Sequence, residues 1–257
     1  MNNNSNMLMN KLPTFDDDDL TRVWGTSRDV RVFISHRASQ KSEATKIKQL
    51  LREIGISSFV AHEDISPTEA WQKEILIALQ SMDVLLAYIS DDFSSSSWTN
   101  QEVGFALGKN IPILPFAVGA NPEGFISFMQ AKKYTYNSFK KDIIGMLTNT
   151  RIVSRDLHRV VCDVIISHFS DSYSFATASS IFELIENVEY LEQHQIRSII
   201  DAFNANDQIH GSDSLNGYRY GKKVSEGRVC QKLNELTAAK FEVVLGLRGY
   251  MIQKKSV

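Results

Sequence analysis

Cysteine is nearly absent: Cys162 and Cys230 are the two in 257 residues, and neither belongs to a CxxC pair. That excludes a disulfide scaffold and a zinc ribbon, and it suits two buried thiols in a reducing compartment. Long apolar runs are missing too, since none reaches the roughly 18 residues that span a bilayer. The first residues, MNNNSNMLMN, lack the basic start and apolar core of a signal peptide. The expectation is a cytoplasmic protein with no membrane partner. Nor is there an excess of charge of one sign. A net charge of −2 gives no overall pull toward nucleic acid, and no such partner is expected.

What is present is the composition of a globular chain, 43% hydrophobic and 23% charged. Its length allows one large domain or two ordinary ones. Residues 1–27 read as an N-terminal tail carrying the acidic run Asp16 to Asp19. Four adjacent carboxylates cannot all turn toward one ion, so the run is expected at the surface or at a helix start.

From Val30 onward, strands alternate with helices. Val30 to Ile34 is a β-rich run ending at Ser35-His36-Arg37, and Ser39 to Glu53 has helical spacing that stops at Gly55. Ile56 to Ala61 reads as a second strand. Asp83 to Ile89 is apolar almost throughout, the pattern of a central strand covered on both faces. A helix is expected from Trp98 to Lys109 and a fourth strand from Ile111 to Val118. Pro112 and Pro115 imply that this strand is bulged or near an edge. Lys133 to Tyr136 reads as a short fifth strand and Phe139 to Leu147 as a helix. Such alternation predicts a parallel α/β sheet of five strands in the order 2-1-3-4-5, flanked by helices. Its ligand crevice lies at the carboxyl ends of the first and third strands.

After about residue 150 the β pattern fades. Stripes at Leu157, Val161, Val164 and Ile165, and at Ile181, Leu184, Ile185 and Val188, predict helices. The division expected is therefore a tail over 1–27, an α/β domain over 28–150 and a smaller, mostly helical domain over 151–257.

The crevice would receive Ser35, His36 and Arg37 from the first strand and Ser90, Asp91 and Asp92 from the third. The helix that follows begins Trp98-Thr99-Asn100-Gln101-Glu102, placing Trp98 and Glu102 on one face at the crevice rim. Spacing alone leaves two roles open for Glu102. Thr99-x-x-Glu102 matches a capping box, and the same carboxylate is placed for chemistry. Trp98 is equally well read as a hydrophobic anchor. A phosphate loop or dinucleotide fingerprint needs glycines after the first strand, and Ser-His-Arg-Ala-Ser has none. A phosphoacceptor domain needs acidic residues there to hold magnesium, which Ser35-His36 cannot supply. His62-Glu63-Asp64 lacks metal-ligand spacing and reads as loop bracing. His158, Cys162 and His168 read as core or surface positions, and Lys222, Lys223 and Arg228 as a solvated basic face.

The series Val32-Phe33-Ile34-Ser35-His36, Ala61-His62-Glu63-Asp64-Ile65, Trp71, Ser97-Trp98-Thr99-Asn100-Gln101-Glu102-Val103-Gly104 and Pro122-Glu123-Gly124-Phe125-Ile126 resembles the TIR (Toll/interleukin receptor) family, closest to its bacterial, NAD-cleaving branch. The resemblance spans about residues 28–148 and implies a flavodoxin-like fold. It implies a WxxxE site in which Glu102 cleaves NAD+, a substrate and not a bound cofactor. Ser35, His36 and Arg37 match residues that help to hold the dinucleotide, with Ser66, Trp71 and Trp98 as further contacts. Self-association through TIR domains is implied, and so is an effector protein that senses the nucleotide product.

One carboxylate suffices for such chemistry. Glycosidases generally need a second to protonate a poor leaving group, but nicotinamide departs from NAD+ as an already cationic pyridinium. What remains to be stabilised is an oxocarbenium-like ribose, for which a fixed anion serves. A position near the helix start would favour the ionised form. By family analogy, the product would be ADP-ribose or a cyclic ADP-ribose signal in bacterial anti-phage immunity. The alternative is a non-enzymatic adaptor acting through TIR–TIR contacts.

Overall fold

The computed structural model describes residues 12, 14–26, 29–60, 69–238, 240–247 and 249–255, and for 69–71 the backbone alone. The chain forms two compact units, Met1–Lys48 with Ser57–Ala131, and Gln49–Ile56 with Lys132–Val257.

In chain order, α1 (Asp17–Trp24) precedes β1 (Arg31–Ser35), α2 (Lys41–Arg52), β2 (Ser57–Val60), α3 (Glu69–Ser81), β3 (Val84–Ile89), α4 (Ser97–Gly108) and β4 (Ile113–Ala117), all in the first unit but for the end of α2 from Gln49. With β5 (Lys132–Lys133) the strands form one sheet in the order β2-β1-β3-β4-β5, as the alternation predicted. The pairs β1–β2, β1–β3 and β3–β4 are parallel. Every residue of β3 is buried, which is why its sequence is apolar without alternation. Arg31 grips Asp83 with Nε at 3.0 Å and Nη2 at 2.8 Å, fixing the start of β1 beside that of β3. Pro112 falls just before β4, and Pro115 lies inside it. Because β5 is two residues long, β4 is nearly an edge strand, where a missing N–H is tolerated.

The acidic run is corrected in part. Asp16 caps α1 by accepting from the Asp19 backbone N–H at 2.9 Å, and Asp17 and Asp18 are exposed. Asp19, by contrast, is buried and paired with Arg22 and Lys73. The segment is no bare tail either: Val23 and Trp24 are buried, and Trp24 Nε1 donates to Ser81 Oγ at 2.8 Å.

The second unit holds α5 (Phe139–Leu147), α6 (Arg155–Ser170), α7 (Phe175–Glu186), α8 (Gln193–Ala205), α9 (Asp207–His210) and α10 (Asp213–Asn216). It continues with β6 (Tyr218–Arg219), β7 (Lys222–Lys223), α11 (Arg228–Leu236), β8 (Phe241–Gly246) and β9 (Gly249–Lys254). Two antiparallel hairpins, β6–β7 and β8–β9, thus join the expected helices. Gly55 ends the turn after α2 at φ +78, and a Cβ there would lie 2.4 Å from the His168 ring. Glycine is needed twice over. His158 is buried between two carbonyls, with Nδ1 2.9 Å from Thr148 O and Nε2 3.1 Å from Tyr190 O. It is a core histidine, the first of the two readings its sequence position left open.

Candidate functional site

Parallel strands deliver their last residues to one edge of the sheet. Ser35 ends β1 fully buried, and His36 and Arg37 follow it. Across the β1–β3 boundary, the 3-10 turn Phe93–Ser95 leads into α4. Ser96 caps that helix, its hydroxyl accepting from Thr99 N–H at 3.3 Å. Thr99 is spent otherwise, donating to Phe93 O at 2.6 Å. The capping-box reading therefore fails. The helix starts at Ser97, so Thr99 lies within the first turn and Glu102 in the second.

Glu102 meets Ser35, whose Oγ donates to Oε2 at 2.5 Å. That is the short separation of a hydroxyl on a carboxylate. Glu102 is 3% exposed, so it stands inward of the crevice rim where sequence spacing put it. A buried carboxylate is costly without donors, and Ser35 supplies one across the strand boundary. The dipole argument weakens at this depth, because the field of a helix terminus fades beyond its first turn.

His36 is buried beside this pair, its Nδ1 3.2 Å from Ile34 O. Arg37 Nε donates to Asp92 Oδ2 at 3.1 Å, and Ser90 Oγ donates to Oδ1 of the same carboxylate at 2.7 Å. The Ser90 hydroxyl first, and the Arg37 guanidinium second, hold Asp92 below the usual carboxylate range. Sequence reasoning placed Asp92 at the crevice but gave it no part in the site. Its signal was its position at the end of the strand beside β1. Trp98 is half-buried and packs against the hydrophobic core of the first unit, in keeping with the anchor reading. The structure thus brings together Ser35, His36, Arg37 and Glu102. Ser66 and the His62-Glu63-Asp64 motif lie outside the described residues, as does the Trp71 side chain. Among the described residues no cluster of His, Cys, Asp or Glu has the form of a metal site.

A cleft of about 470 Å³ lies along α4, lined by Ser90, Asn100, Val103, Gly104, Phe125 and Ile126 among others. A Cβ built on Gly104 would meet nothing within 4 Å. Nothing in the sequence spacing pointed to this cleft.

A five-stranded parallel sheet in this order defines a flavodoxin-like α/β protein, and the polar side chains gathered at the ends of β1 and β3 form a candidate site at its topological switch point. More particularly, residues 32–144 match the TIR-domain family, and the chain carries a TIR domain over that segment. The crystal structure of the TIR domain of the Toll-related receptor TRR-2 from Hydra magnipapillata is similar over 44% of this chain and 93% of that one, at 17% identity and a TM-score of 0.37. Comparison with curated proteins finds no match.

Proposed function

We propose that this chain is an NAD+ nucleosidase with Glu102 as its catalytic residue. The observation that carries the reading is the buried Ser35–Glu102 pair at the end of β1, with Arg37 two residues on. Ser96 caps α4, so helix capping does not account for Glu102. The reaction breaks the bond between ribose C1′ and the nicotinamide nitrogen, and nicotinamide leaves neutral with the bonding pair. Water adds to C1′ and loses a proton, giving ADP-ribose; attack from within the same molecule gives a cyclic product instead. Glu102 stabilises the cationic ribose, Ser35 fixes the carboxylate, and Arg37 faces the pyrophosphate as a planar multidentate donor. His36, Ser66, Trp71 and Trp98 complete the substrate surface.

A carboxylate this deeply covered must be uncovered by productive binding, which ties activity to packing between TIR domains. Nicotinamide release per mole should therefore rise with protein concentration. The cellular setting that fits is a cytoplasmic one, bacterial anti-phage signalling in which an effector protein senses the product.

The test is to incubate the full chain with NAD+, follow nicotinamide, and identify the product by mass spectrometry. Glu102→Gln keeps the shape and should lower the rate by about a hundredfold or more. Undiminished activity in that variant overturns the assignment. A non-enzymatic role has one observation in its favour: Phe125 and Phe128 are 85% and 78% exposed, as in a contact surface. Self-association without nicotinamide release at any concentration would select that reading.

A further inference from the structure

Charge is unevenly placed along this chain. From Tyr218 to Lys255 there are nine Lys or Arg against three Asp or Glu, although the whole chain has a net charge of −2. Two of the nine are turned inward: Arg228 forks onto the Glu186 carboxylate, and Lys232 Nζ donates to Glu186 O at 2.9 Å. Lys222 and Lys223 are exposed, and Arg219 shares Asp213 at 3.5 Å.

The same stretch carries two hairpins with apolar tips. The β6–β7 turn places Tyr220 at φ 51 and Gly221 at φ 74. An aromatic residue in that conformation is strained, yet Tyr220 is 97% exposed, so burial of its ring does not explain the choice. In β8, Phe241 and Val243 are buried, whereas Leu245, next on the same face, is 74% exposed. Leu247, in the turn, is fully exposed. The apolar face of the hairpin therefore runs on beyond what the unit covers.

The hairpins are fastened together. The Tyr218 ring stacks on Tyr250 at 4.5 Å, and the Tyr218 hydroxyl donates to Val243 O at 3.2 Å. Tyr250 stands opposite Leu245 in the ladder, so the stack ties the first hairpin to the turn end of the second.

We propose that this pair of hairpins docks on the surface of an anionic lipid bilayer. Tyr220, Leu245 and Leu247 enter the acyl boundary, and Arg219, Lys222 and Lys223 meet the headgroups. Aliphatic tips beside cations suit a bilayer interface. Single-stranded nucleic acid is held by stacking on successive rings; these tips offer the Tyr220 ring, but Leu245 and Leu247 provide no platform beside it. A second copy of the same face would oppose like charges. This contact is peripheral; among the described residues no helix is long and apolar enough to cross a membrane. The sequence expectation of no membrane partner rested on spanning segments and net charge, neither of which bears on a peripheral contact.

The test uses the full chain with vesicles of phosphatidylcholine, with and without phosphatidylserine, read by co-sedimentation. At least about tenfold more protein should bind the anionic vesicles. The paired change Leu245→Ser and Leu247→Ser should weaken binding about tenfold or more, and so should Lys222→Glu with Lys223→Glu. Circular dichroism checks that each variant is folded. A Tyr220→Trp variant, followed by the difference from wild-type emission, should shift to the blue on anionic vesicles alone. No binding, equal binding to both vesicle types, or binding indifferent to the leucines overturns the proposal. Capture of a labelled oligonucleotide in preference to vesicles also overturns it.

Discussion

Inside the sheet edge, a single hydroxyl carries an unusual share of the site. Ser35 Oγ donates to Glu102 with both residues buried, so Ser35→Ala leaves an oxygen of that carboxylate without this donor. The expected loss is about 1–3 kcal/mol in urea unfolding. Repeated in a Glu102→Gln background, the same change should cost less, because a hydrogen bond lost to an amide costs less than one lost to an anion. Additive effects in that double-mutant cycle would show that the two side chains are not coupled. Cys162 offers a second residue-scale test. Burial first, then the Asp163 and Glu192 charges, push its thiol up to about 12 from an ordinary 9.0. Below pH 9 both folded and unfolded states keep the proton, so this contribution to stability is complete. As pH rises from 9 toward 12 the unfolded thiol ionises first, and stability falls by up to about 1.4 kcal/mol per pH unit. The stability difference between wild type and Cys162→Ala should shrink over that window, and a constant difference would refute the buried-thiol account. At this scale the site was half legible. Ser35 and Glu102 each stood out in the sequence, but their bond joins residues 67 apart, and only folding brings them together.

Among elements, the strands were easiest to read. Burial on both faces writes an uninterrupted apolar run into β3, and α2 shows its buried stripe at Ala44, Ile47 and Leu51. The β8–β9 hairpin was not foreseen. The alternation of Phe241, Val243 and Leu245 is broken by the apolar Val244, and Gly246 closes the run early. In the basic cluster, Lys222 and Lys223 are exposed as read, and Arg228 alone was misread, for a related reason: sequence proximity says nothing of direction. Arg228 turns inward, its Nε 2.7 Å and Nη2 2.6 Å from the two Glu186 oxygens, with its guanidinium 5.8 Å from the Phe182 ring centre. Those contacts pin the start of α11 to α7. Arg228→Lys keeps the charge but loses the fork, and it should lower stability by about 1–2 kcal/mol, measured as a fall in Tm. If lysine restored wild-type Tm, charge alone would be holding α11.

At the scale of the molecule, the two units are threaded through one another in sequence. Residues Gln49–Ile56 lie between two segments of the first unit but belong by contact to the second. Leu50, Leu51, Ile54 and Ile56 are all buried, and Gly55 rests against His168 and Val164 of α6. Hydropathy along the chain could not reveal this, because α2 reads as an ordinary crossover helix of the α/β pattern. The consequence is physical. Each of those four side chains contributes about 1.5–3 kcal/mol by burial, while a whole domain has a net stability of about 5–15 kcal/mol. A fragment of residues 151–257 lacks this segment and also α5. We expect it to bind a hydrophobic dye, to lose near-ultraviolet dichroism and to unfold without a cooperative transition. A fragment that unfolded cooperatively at the Tm of the full chain would show that the C-terminal helices and hairpins stand without the inserted segment.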